Sequence, residues 1–141
     1  MTVADADQGF AECSVRDLQR YAATCLEAYC QGKGIRHCAV DALIRHLKDY
    51  PDRGSVLAWE RAGALLALNG RGDDWPQDLV ALIPPSETEA FSSLVDSAVE
   101  VGLVDLFGES TDLPVTFVRK ITSILRGQSL DLPELPGPRA I

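Results

Sequence analysis

The chain has 141 residues, 46% hydrophobic and 24% charged, a composition that suits one globular domain and is too apolar for a disordered chain. Its 13 Lys and Arg against 21 Asp and Glu give a net charge of −8, which argues against general nucleic-acid binding, where basic side chains neutralise phosphates. No apolar run reaches the roughly eighteen residues of a membrane span, and the acidic opening MTVADADQGF lacks the basic and apolar regions of a secretory signal, so the expected location is the cytoplasm.

Residues 1–12 carry no periodic pattern and are expected to form a flexible N-terminus. The first helix is predicted over 14–31. Ser14 is placed to cap it and Asp17 lies in its first turn, near the positive end of the dipole. Val15, Leu18, Ala22, Cys25, Leu26 and Tyr29 form one apolar stripe, and Gly32 and Gly34 follow as stop signals. A second helix over 37–50 turns Val40, Leu43, Ile44 and Leu47 inward and Asp41, Arg45, Lys48 and Asp49 outward, and Pro51 blocks its continuation. The third, over 55–69, carries Val56, Leu57, Trp59, Leu65, Leu66 and Leu68. Its Ala62-Gly63-Ala64 centre is small enough for another element to approach closely.

A short fourth helix over 75–83 has Pro76 at its start, where a missing N–H is harmless, and ends at Pro84-Pro85. Ser86-Glu87-Thr88-Glu89 then reads as a capping box for a fifth helix over 86–107, carrying Phe91, Leu94, Val95, Ala98 and Val101. Residues 99–107 also alternate like a strand, but a lone strand has no sheet to join. Asp112-Leu113-Pro114 opens a sixth helix over 113–127, with Val118, Ile121, Ile124 and Leu125 inward. The proline-rich stretch 128–141 reads as an extended tail. The expected fold is therefore all-α: an irregular bundle of about six helices over 13–127, or stacked helical hairpins without a sequence repeat.

All four cysteines fall at positions 13, 25, 30 and 38. Cys13 and Cys30 lie roughly 25 Å apart if one helix carries both, too far for a shared tetrahedral ion, and no Cys-x-x-Cys pair occurs. Neither a metal site nor a cofactor is expected. Cys25 reads as a small core hydrophobe. Cys38 gains thiolate character if it opens the second helix, but its sequence neighbour His37 need not face it. His46 lies about half a helical turn out of phase with His37, and its pairing with Asp49 or Tyr50 is an ordinary surface spacing. No serine elbow or phosphate loop is present, and Gly70-Arg71-Gly72-Asp73 follows a helix and reads as a turn. No catalytic residues are assigned.

Charge is distributed unevenly. Residues 1–53 carry a net −1, 54–118 a net −9 and 119–141 a net +2, and no Lys or Arg falls between Gly72 and Val118. Acids at helix starts (Asp74, Glu87, Glu89, Asp112) complement dipoles, and the others suit a solvated face. The alternative is a recognition surface that steers a basic partner, built from Asp73, Asp74, Asp78, Glu87, Glu89, Asp96 and Glu100, with Trp75 as its anchor. For Trp75 itself the favoured reading is a lid that folds back over the core. The leading expectation is a small acidic protein-binding module, for example an immunity or inhibitor protein against a basic protein partner. Competing with it are an assembly module that forms a homo-oligomer and a thiol-based enzyme or sensor built on Cys38 and His37.

Overall fold

A computed structural model describes residues 9–51, 55–106, 108 and 110–135, and all regular structure among them is helical. After a helical segment at 9–11, six α-helices follow in order: α1 (Val15–Lys33), α2 (Cys38–Lys48), α3 (Val56–Ala64), α4 (Gln77–Leu82), α5 (Thr88–Leu103) and α6 (Leu113–Gly127). The architecture is the expected irregular bundle. None of the described helices is long and apolar enough to cross a membrane.

The longest helix, α1, organises the core. Ser14 accepts the Asp17 amide at 3.1 Å, and Gly34 ends the helix in the left-handed region at φ 69°, where its N–H returns to the last carbonyls. Between those caps Leu18, Ala22, Cys25, Leu26 and Tyr29 are buried, as the stripe requires, and so are Gln19, Tyr21, Ala23 and Cys30. That wider burial follows from position, since α1 packs against α2, α5 and α6, while α5 and α6 also pack against each other. Phe91, Leu94, Val95 and Ala98 of α5 and Val118, Ile121 and Leu125 of α6 fill the space between them. Val40, Leu43, Ile44 and Leu47 close the opposite side from α2.

Four details depart from the sequence reading. Residues 9–11 are helical rather than flexible: Phe10 is buried, its ring 5.4 Å from that of Tyr21. Residues 1–8 lie outside the described residues. Second, α3 stops at Ala64 instead of 69. The side chain of Asn69 donates to the Ala64 carbonyl at 3.1 Å and caps the helix end. On a longer helix Leu65 and Leu68 would share a face. The break instead sends Leu68 into the core and leaves Leu65, an expected core residue, 87% exposed, with Leu66 only half-buried. Third, the expected capping box does not form. Pro85–Glu87 is a 3₁₀ turn, and Glu87 becomes the N-cap without a capping bond. Fourth, the α5 helix ends at Leu103, and 104–106 form a turn rather than a strand or a continuing helix.

After α6 the chain runs without regular structure over 130–135 and turns back along α1. Leu130, Leu132 and Leu135 pack on the core, and the Tyr21 hydroxyl donates to the Pro133 carbonyl at 2.8 Å. Residues 136–141 lie outside the described residues.

Candidate functional site

The eight residues expected to form a recognition surface fall into three groups. Asp73, Asp74 and Trp75 belong to the loop between α3 and α4. Asp73 accepts from Asn69 Nδ2 at 2.7 Å and so helps hold the α3 cap. Asp74 is exposed. Trp75 is half-buried, edge-on to Phe91 with ring centroids 5.2 Å apart, so it covers the core instead of projecting as an anchor.

The second group ties the acidic segment to the α1–α2 hairpin. Asp78 meets His37 Nε2 at 2.8 Å, and His37 Nδ1 accepts the Ala39 amide at 3.0 Å as the N-cap of α2. An amide donor at Nδ1 requires a lone pair there, so the ring proton sits at Nε2, facing Asp78. Hydrogen bonding to His37 holds the Asp78 carboxyl below the usual carboxylate range. Glu87 accepts the Tyr29 hydroxyl at 2.7 Å and pairs with Lys33 at 3.3 Å, and these two contacts lower its pKa in that order. Both acids tie their segment to the α1–α2 hairpin, Glu87 half-buried and Asp78 from the surface.

The third group is a stripe. Glu89, Ser93, Asp96 and Glu100 recur at intervals of four, three and four residues, so they share one face of α5, opposite the buried Phe91, Leu94, Ala98 and Val101. Glu89 and Asp96 are exposed and Glu100 half-buried. Beside the stripe runs a groove of about 570 Å³ lined by Glu89, Ser92, Ser93 and Asp96 of α5, Lys120 of α6, and Pro85. Partial burial raises the pKa of Asp96, and the Lys120 charge opposes that rise. Carboxylates and serine hydroxyls along one groove present acceptors to an ammonium or guanidinium group.

A second groove of about 580 Å³ lies between α1 and α2. Its floor is Ile35, Val40 and Ile44, and its rim mixes Arg36 and Arg45 with Asp41 and a Glu27–Lys48 ion pair at 2.9 Å. Its mixed charges give it no single sign. The four cysteines are free thiols. Burial pushes Cys25 and Cys30 up to about 12, which removes them from thiolate chemistry, whereas Cys38 is exposed at the start of α2. His37 has both ring nitrogens engaged, so it has no lone pair free to activate Cys38. Among the described residues no three His, Cys, Asp or Glu side chains are grouped to hold a metal ion.

Ser92, Ser93 and Lys120 were absent from the sequence reading. The spacing of Glu89, Ser93, Asp96 and Glu100 was legible in principle; Lys120, on another helix, carried no local signal. Comparison with known protein families, curated proteins and solved structures returns no match to this chain.

Proposed function

We propose that this chain is an acidic protein-binding module, of the immunity or inhibitor type, that captures a basic protein along the outer face of α5. The supporting observation is the alignment of Glu89, Asp96 and Glu100 on one helix face beside a groove rimmed by Ser92 and Ser93. The three acids span about 16 Å of helix axis, a length matched by basic side chains on one face of a partner helix. Clustered charge of one sign accelerates encounter with an oppositely charged surface, and salt weakens that acceleration.

A helical peptide with lysines at the matching spacing tests this reading by stopped-flow association. The triple change Glu89→Gln, Asp96→Asn, Glu100→Gln is expected to slow association on the order of tenfold at low salt. The change Asp73→Asn, Asp74→Asn should have little effect. Equal loss from both variants, or none from the first, would refute the assignment to α5.

Self-association is the second reading, favoured by Leu57 and Leu65, which are 51% and 87% exposed at the two ends of α3. Sedimentation equilibrium of the wild type against Leu57→Ser, Leu65→Ser separates it from the first: a dimer lost in the variant would favour assembly.

A further inference from the structure

His46 and Arg71, both half-buried, meet beside α3, away from the acidic stripe. The His46 ring of α2 lies flat on Trp59 of α3, with centroids 4.5 Å apart and planes within 6°, and the Trp59 indole donates to the His46 carbonyl at 2.8 Å. Its Nε2 is buried and has no hydrogen-bond partner among the described residues. Gly63 permits this arrangement. A side chain there would begin 2.6 Å from His46 Nε2 and 2.9 Å from Arg71 Nη2, so imidazole and guanidinium converge over one glycine. Arg71 is fixed from behind, donating through Nη1 to the Glu60 carboxylate at 2.6 Å and through Nη2 to the Glu60 carbonyl at 2.9 Å. The Arg71 amide donates to Asn69, which caps α3.

The charged groups acting on the imidazole are Asp49, the C-cap of α2, and Arg71 in the loop, whose guanidinium is itself paired with Glu60 of α3. Around the ring, α5 supplies Val99 and α2 supplies Leu43 and Leu47. A neutral ring can turn a lone pair toward the guanidinium. A protonated ring sets two cations together where little water can enter. We propose that His46 is a pH-sensitive latch: neutral, it holds α3 and the Arg71 loop against the core, and protonated, it separates from Arg71 and releases that segment. Burial first and Arg71 second lower the imidazole pKa from its ordinary 6.5, against a smaller opposing effect of Asp49. The unfolded chain therefore binds a proton before the folded one does. Stability from this site is complete above pH 6.5 and declines as pH falls from there toward the lower folded value.

The experiment uses a Trp75→Phe background, which leaves Trp59 as the sole indole of the two. Its fluorescence is followed from about pH 8 to about pH 4, alongside the His46 ring resonance by NMR. The expected result is a reversible change in Trp59 emission with a midpoint below 6.5, shared by the His46 resonance, while far-UV circular dichroism keeps most of its helical signal. His46→Gln should abolish the transition and His37→Gln should keep it. Arg71→Met should move the His46 midpoint upward, and it decides the question if His46→Gln fails to fold. A His46 midpoint at or above 6.5, or one that Arg71→Met leaves in place, overturns the latch, as does a transition that survives His46→Gln.

Discussion

Gly102 sets two effects of known size against each other. It lies inside α5, where alanine is favoured over glycine by about 1 kcal/mol. A methyl there would begin 2.9 Å from Tyr50 Cε2 and 3.2 Å from the Trp59 ring, and closer still to Gln19 Oε1. Gln19 has little room to retreat: it is fully buried and its Nε2 donates to the Ala98 carbonyl at 2.7 Å. Its Oε1 has no hydrogen-bond partner among the described residues. Overpacking of this kind costs about 1–3 kcal/mol. Gly102→Ala should therefore destabilise by about 1 kcal/mol net, the clash exceeding the propensity gain. Urea unfolding followed by circular dichroism measures it. In a Gln19→Ala background the shortest contact is gone while those with Tyr50 and Trp59 remain, so the same change should cost less, with a coupling above about 0.5 kcal/mol. A Gly102→Ala protein about 1 kcal/mol more stable than wild type would show that helix propensity wins and that the contact with Gln19 is loose.

Three further outcomes follow from the same structure. Leu68→Ala should cost about 2–5 kcal/mol, whereas Leu65→Ser should stay within about 0.5 kcal/mol, a contrast that denaturant midpoints resolve. Because Tyr29 and Lys33 depress the Glu87 pKa below 4.5, their contribution to stability is full above that pH and fades as pH falls below it. Tyr29→Phe should flatten this acid limb without altering the higher window governed by His46, as thermal melts across pH would reveal. Thiol labelling of the native protein should modify Cys38 ahead of the buried Cys25 and Cys30, which should react only on unfolding; rapid native labelling of either would contradict the burial of α1.

The sequence alone determined the helices and much of their chemistry. Apolar residues at three- and four-residue spacing located the six helices from Val15 to Gly127, though α3 ends five residues and α5 four residues early, because that periodicity reports directly which face of a helix meets the core. Ser14, Gly34 and Pro114 act where local rules put them, since a cap or a missing N–H concerns only the adjacent turn. Tertiary structure alone decided how the polar groups are used. Glu87 reads from sequence as a dipole-complementing acid at a helix start, yet its partner is Tyr29, 58 positions away, and Asp78 reaches His37 across 41. The end of α3 depended on Asn69 finding the Ala64 carbonyl, and with it the exposure of Leu65. The small centre at Gly63 announces a close approach and Gly32 reads as a stop signal, but only the fold shows which side chains arrive: a Cβ at Gly32, Gly63 or Gly102 would stand within about 3 Å of a side chain distant in sequence. Such contacts join residues whose separation along the chain bears no relation to the helical repeat. Of the eight acidic-face residues, three remain on an open stripe because long-range partners engaged most of the others.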